Sequence, residues 1–253
     1  MLTDPWFYAA ALPIVFLVGL SKGGFLPGLG LLGVPLLSLV VPPATASGIL
    51  LPVLLAMDVV AVWSYRNSFS REHLMVLLPT SLIGLGIGWL TASWITEAHF
   101  RVILGVIGIV FLLHALFLKA RAMEMQPPGR VLSLILCTAA GFTSFISHAG
   151  GPLAQIYLQP QKLAPAMFSG TMVMCFAALN LIKVGPFVAL GLINMASLTV
   201  GVTLLPMAVI ASYCGVWLNK RIPQEPFYLI ANICLAIVSA ELLRSGILRL
   251  MAG

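Results

Sequence analysis

From Ala44 to Tyr65 the chain runs the width of a bilayer with one charged side chain, Asp58. A helix on the surface of a soluble domain keeps one face polar, and this stretch has no such face. Runs of the same kind recur at Trp6–Leu20, Leu74–Trp94, Phe100–Leu118, Val131–Ile146, Pro165–Val184, Asn194–Leu218 and Phe227–Leu248. Soluble domains carry roughly 25% charged residues. Here the figure is 8%, against 60% apolar residues, so the outer surface must face lipid. At about 20 residues per helical crossing, 253 residues hold roughly eight to ten membrane segments. The expected fold is all-α and transmembrane.

The net charge of +6 would point to nucleic acid in a soluble protein. In a membrane protein it reads instead as basic loops held on the cytoplasmic side, and no nucleic-acid partner is expected. Cys137, Cys175, Cys214 and Cys234 lie inside apolar runs without metal-ligand or disulfide spacing, so neither metal nor cofactor is expected. Met1–Trp6 has no basic region and carries Asp4, so the first apolar run is expected to stay in the mature protein.

Two further segments are broken. Phe25–Val41 is interrupted by Pro27, Gly28, Gly30, Gly33 and Pro35, and Pro152–Leu158 is short and follows Gly150-Gly151. Helix breakers at membrane depth survive only where protein or a wet cavity satisfies the backbone. The two breaks belong to a pattern. Ile95–Phe100 can be laid on Ile222–Phe227, and the same offset places Leu78-Pro79 on Leu205-Pro206. A slightly shorter offset places Gly19 on Gly141, Gly48 on Gly170 and Asp58 on Asn180, and a local gap aligns Gly33-Val34-Pro35-Leu36 with Gly150-Gly151-Pro152-Leu153. The expected organisation is a first repeat over 1–118, a basic cytoplasmic linker over 119–130 and a second repeat over 131–253, each half holding four to five segments. Arg66 and Arg71 have no basic counterparts in Gly185–Asn194, whereas Lys220 and Arg221 stand opposite the Trp94–His99 connection. Charge changes sides between the halves, which predicts inverted repeats with their broken segments facing each other. Arg244 and Arg249 would then lie outside.

Paired helix breaks in duplicated halves mark a transporter's binding site, because free backbone N–H groups and helix dipole ends attract anions there. The first break reads Ser21-Lys22-Gly23-Gly24, with a full positive charge beside backbone that glycine leaves accessible. Lys22 is either an anion ligand or a snorkelling lysine at a span end. The second break offers Ser144, His148, Gly150, Gly151 and, a few residues on, Gln155. His148 can donate to an anion or exchange a proton near neutral pH, or be a satisfied helix contact. Asp58 can carry a coupling proton, pair with Lys22, or form an interhelical hydrogen bond, with Asn180 in the corresponding role. Thr171, with Thr45 and Ser169, is a candidate to line a polar path, although such hydroxyls usually bond their own backbone. His114 and Glu241 near span ends are weaker candidates. Replacing Lys22 with Met is expected to weaken anion binding and leave folding intact.

No HExxH, GxSxG, P-loop or paired-carboxylate arrangement is present, so an enzyme is not expected. The alternative from that class is an intramembrane enzyme or lipid-handling protein using His148 and Asp58. A membrane assembly factor without a substrate is a third reading. Gly84-Leu85-Gly86-Ile87-Gly88 permits close helix packing within the bundle or between copies in a homo-oligomer.

Gly19-Leu20-Ser21-Lys22-Gly23-Gly24-Phe25, Gly30-Leu31-Leu32-Gly33-Val34-Pro35-Leu36 and Pro42-Pro43-Ala44-Thr45-Ala46 resemble the first half of the bacterial TauE/SafE family. Ser147-His148-Ala149-Gly150-Gly151-Pro152, then Tyr157–Leu163 and Gly170-Thr171, resemble a second-half pattern in one branch of it. The likeness runs over about residues 10–245. It implies a polytopic permease of the bacterial inner membrane, moving small anions that are mostly sulfur-containing: sulfite, sulfonates and related organosulfur acids. The first glycine motif departs from the G-x-G-G-G of many relatives, and Lys22 stands at the departure.

Overall fold

The computed structural model describes residues 5–25, 29–96, 98–99, 101–103, 105–106, 109–110, 112–113, 127–219, 221 and 225–252. Pro27, Gly28, His114, Lys220 and positions 119–126 of the expected linker lie outside the described residues. No strand occurs among the described residues. The helices are α1 (Pro5–Lys22), α2 (Gly33–Leu37), α3 (Pro43–Tyr65), α4 (Arg71–Thr91), α5 (Arg130–Ser147), α6 (Gly151–Leu158), α7 (Pro165–Ala189), α8 (Met195–Asn219) and α9 (Glu225–Ala252). The described positions of 98–113 are also helical. By length and composition α1, α3, α4, α5, α7 and α8 are each long and apolar enough to cross a membrane.

Local sequence sets several of the boundaries. Pro43 and Pro165 stand in the first turns of α3 and α7, where a missing N–H costs nothing. Ser70 caps α4 by accepting from the N–H of His73. The expected broken segments are broken. In the first, a 3-10 turn over Leu29–Leu32 leads into the five-residue α2. In the second, α5 stops at His148 and the eight-residue α6 starts at Gly151. The two breaks touch, since Ala149 packs with Leu20, Phe25, Leu31 and Leu32.

Interhelical packing depends on small residues, as expected where lipid tails are no less apolar than the side chains. Gly19 of α1 and Gly23 just after it lie against Ala211 and Val216 of α8, and Tyr8 Oη is 3.2 Å from Thr203 Oγ1. Contacts that advance together in this way define parallel helices. On α4, Ser81, Gly84 and Gly88 meet Gly141, Phe142 and Phe145 of α5, again in parallel. The glycine face expected on α4 thus packs inside the bundle at Gly84 and Gly88, while Gly86 has open space around it. Helices α3 and α8 are parallel too, with Ile49 near Gly201 and the Met57 carbonyl accepting from Ser212 Oγ. Helices α3 and α7 run oppositely: Gly48 meets Leu192, Asp58 meets Asn180, and Tyr65 meets Gly170. Consequently α1, α3 and α8 point one way and α4, α5 and α7 the other. Helix α9 and the helical positions of 98–113 pack antiparallel, Ala98 near Gly246 and Gly105 near Ser239.

The outside suits a bilayer. Trp63, Met75, Leu90, Leu181 and Met195 are exposed, the reverse of a soluble surface. Trp63 and Trp217 mark one end of the bundle and Trp6, Trp89 and Trp94 the other, as in interfacial aromatic belts. Arg66 and Arg221 stack on Trp63 and Trp217 at 4.0 and 4.9 Å. That end also carries Arg71, Arg130 and Lys162, and it is called the basic face below; Arg101, Arg244 and Arg249 lie toward the opposite end.

Candidate functional site

Where the two broken segments meet α3 and α7, the bundle holds a partly open cavity of about 90 Å³. Its wall includes Ser21, Lys22 and Gly24 from the first break, Ser144 and His148 from the second, and Asn180 from α7. Two stretches more than a hundred residues apart thus share one cavity. Val18, Leu54, Phe168, Met172 and Phe176 supply its apolar remainder.

Each polar wall residue is held by its element. Lys22 is the last residue of α1, and its Nζ donates to Asp58 Oδ1 at 2.6 Å. Asp58 Oδ2 accepts from Asn180 Nδ2, also at 2.6 Å. Two of the three alternatives for Asp58, pairing with Lys22 and bonding between helices, occur together in a chain running α1, α3, α7. The carboxylate is buried, which the full charge of Lys22 and the Asn180 amide make tolerable. Ser21 Oγ accepts from the Gly30 N–H at 2.9 Å and so ties the 3-10 turn to α1. Gly24 has φ +91°, and a Cβ there would lie 2.6 Å from Tyr65 Oη, so no larger residue fits.

On the opposite wall His148 caps α5 in a left-handed conformation, φ 54°, with its N–H on the Ser144 carbonyl at 3.0 Å. That conformation is costly for a residue with a side chain, by about 1–2 kcal/mol. The surrounding contacts hold it. His148 Nε2 lies 3.1 Å from the Ser47 carbonyl and 3.2 Å from Ser47 Oγ, and Nδ1 lies 2.9 Å from Lys183 Nζ. Its ring also tilts onto Phe187, which stacks edge-on against Phe145. Beyond Ser47, Phe145 and Ile146 a second cavity of about 240 Å³ opens, lined by Ala44, Ala92, Leu190 and Leu192. Ser47 and Phe145 line this second cavity and His148 lines the first, so a single layer separates the two.

Other expected site residues fall elsewhere. Gly23 is packed against Ser212, Gly215 and Val216, and its carbonyl accepts from Tyr65 Oη. Gly150 is wedged against Ala140, Ser144 and Phe176, while Gly151 begins α6 away from the first cavity's wall. Thr171 donates to the Met167 carbonyl and accepts from the Ser70 N–H, tying α7 to the α3–α4 connection. Gln155 Nε2 is buried without a hydrogen-bond partner among the described residues, outside the wall of the first cavity. Sequence reasoning misses two residues. Ser47 reads as one more hydroxyl in an apolar run. Lys183 is fully buried and carries a readable signal, a cation deep in a span one helical turn after Asn180.

A family model described as Sulfite exporter TauE/SafE matches residues 11–242. No curated protein and no solved structure matches the chain.

Proposed function

Since the chain belongs to the TauE/SafE sulfite exporter family, we propose that it is a permease for a small sulfur oxyanion, sulfite or a short sulfonate, bound in the cavity between the two broken segments. The observation that carries this reading is the shared cavity itself. Residues of both glycine-containing breaks, Lys22 and Gly24 from one and Ser144 and His148 from the other, line a space of about 90 Å³. Such a space has room for a small ion together with water. The polar wall includes the Lys22 ammonium and the hydroxyls of Ser21 and Ser144, groups that suit an anion, and much of the rest is apolar.

The transport cycle we infer is alternating access by inverted repeats. Helices that correspond in the two halves run in opposite directions: α1 against α5, α3 against α7, α4 against α8. The corresponding residues Asp58 and Asn180 bond to each other, as residues near a two-fold axis do. Gly48 rests on the 190–194 connection and Gly170 on the 66–70 connection, a reciprocal pair of contacts. The first cavity reaches toward the basic face, and the excess of arginine and lysine there supports reading that face as the cytoplasmic side of a bacterial inner membrane. The layer of Ser47, His148, Phe145 and Phe187 then closes the path to the outside in this inward-facing state. Residues 119–130 join the halves as a cytoplasmic linker.

The test is flux of radiolabelled sulfite, thiosulfate and methanesulfonate in proteoliposomes. Saturable exchange of at least one of these, unchanged chemically on recovery, is expected. Folded protein that exchanges none of them would remove the sulfur-anion assignment.

A further inference from the structure

Lys183 Nζ is surrounded by three acceptors. The Ser144 carbonyl stands at 2.9 Å, Ser144 Oγ at 3.2 Å and His148 Nδ1 at 2.9 Å. The role of the imidazole follows from its far side. Nε2 lies 3.1 Å from the Ser47 carbonyl, which can only accept, so Nε2 carries the hydrogen and Nδ1 the lone pair. Three acceptors around one nitrogen match the three hydrogens of an ammonium. Among the described residues the only carboxylate in this cluster is Asp58, whose two oxygens are already held by Lys22 and Asn180. Lys22, Lys183 and Asp58 therefore leave one uncompensated positive charge in the middle of the bundle, an expensive arrangement unless something else completes it.

The groups that Lys183 holds are also the cavity wall. Ser144 and His148 line the space, and Ser144 Oγ, accepting from Lys183, has its own hydrogen left to donate toward a ligand. Building on the permease reading, we propose that Lys183 is the counter-charge of the transported anion. A monovalent oxyanion seats on the Ser144 hydroxyl, beside the His148 ring, and its binding is coupled to the proton on Lys183. The ammonium attracts the anion and the neutral amine does not, so anion and proton load together, and each raises the other's affinity by the same factor. Lys183 acts through Ser144 and His148, as a positioning residue.

Other titratable groups face it. His148 from the α5–α6 break is in direct contact, and Lys22 from α1 and Asp58 from α3 stand beside the same cavity. The thiol of Cys175 is further along α7, and Tyr157 of α6 is engaged with His73 of α4 at 3.1 Å. A pH profile of the wild type is therefore compared with two variants. Lys183→Gln removes the charge and keeps a donor. Lys183→Arg keeps a charge that no accessible pH removes.

The experiment measures counterflow of methanesulfonate, a strong-acid anion that carries no proton of its own near neutral pH, over a pH series, with a trapped pH dye following protons. In the wild type the half-saturating concentration rises with pH, by about tenfold per unit once the lysine deprotonates, and protons accompany the anion. Lys183→Gln has a half-saturating concentration raised at least about tenfold at low pH and independent of pH. Lys183→Arg stays close to the wild-type low-pH value throughout, and neither variant moves protons with the anion. A Lys183→Gln protein with the wild-type affinity and profile overturns the proposal, as does a profile retained by both variants, which assigns the titration to His148 or the Lys22–Asp58 pair. If neither variant folds, the wild type decides: a flat profile without proton movement overturns it, and a one-proton profile with proton movement supports it. Folded wild-type protein that exchanges none of sulfite, thiosulfate and methanesulfonate removes the sulfur-anion assignment on which this proposal rests, and the proposal falls with it.

Discussion

Replacing Asp58 with Asn should tighten anion binding and slow transport, an outcome opposite to that expected for loss of a polar site residue. Lys22 Nζ lies 2.6 Å from Asp58 Oδ1, with the lysine side chain 16% exposed and the aspartate 5%. An anion about 4 Å from that ammonium gains about 4 kcal/mol at an effective dielectric constant of 20. The carboxylate behind it, about 6.6 Å from the anion when the three groups are in line, takes back about 2.5 kcal/mol. The neutral amide of Asp58→Asn would remove that repulsion and still bond to Asn180. The worked gain is about 70-fold in affinity, and water in the cavity reduces it, so a tightening of about ten- to a hundredfold is expected. Release slows accordingly, because affinity changes at one site appear mainly in the off-rate. Leaving Lys22 without its partner costs about 3–5 kcal/mol where the site is dry, so the melting temperature falls and excess anion restores it. Equilibrium binding of radiolabelled methanesulfonate and sulfite to purified protein, with counterflow on the same samples, provides the readout. A folded Asp58→Asn protein with unchanged or weaker affinity would refute the reasoning that Asp58 neutralises Lys22.

The same pair changes what is expected of Lys22→Met. Alone it strands a buried carboxylate and destabilises the protein by about 3–5 kcal/mol, and Lys22→Met with Asp58→Asn recovers most of that loss in a thermal melt. If the double variant is no more stable than the single one, the ion pair is not what holds α1 to α3. Gly141→Ala is expected to cost about 3 kcal/mol, since its Cβ would run into the Ser81 carbonyl, whereas Gly86→Ala, facing open space, should be neutral or gain about 1 kcal/mol. Equal melting temperatures for the two would contradict the α4–α5 contact. For topology, Asn67→Cys and Met195→Cys, in a background without the four native cysteines, should react with a membrane-impermeant maleimide from opposite sides. Labelling of both from one side rules out inverted halves.

Much of the site is legible in the amino-acid sequence. The helix breaks, the lone lysine after the first span and the Asp58–Asn180 correspondence each violate what lipid tolerates, so each stands out against an apolar background. Gly150, Gly151, Gln155 and Thr171 belong to the same motifs yet lie outside the cavity wall, because a motif says where a backbone is broken and not which atoms face the gap. Lys183 escapes notice for the opposite reason. It lies in a span that stays helical through Gly185 and Pro186 to Ala189, so no broken segment marks it, and only the approach of α5 turns it toward Ser144 and His148.

The sequence by itself determined that this chain is a multi-pass helical membrane protein with two broken segments, because the scarcity of charge and the length of the apolar runs leave lipid as the only compatible solvent. It also determined the family, through motifs in fixed order. Tertiary structure decided which polar groups meet. Lys22 finds Asp58, Asp58 finds Asn180, and His148 finds Ser47 and Lys183, all between residues far apart in the chain. Apolar helices can pack in many registers with similar burial. The register here is selected by glycines that let backbones touch and by buried polar groups that accept only one set of partners, and neither effect can be read from one segment at a time.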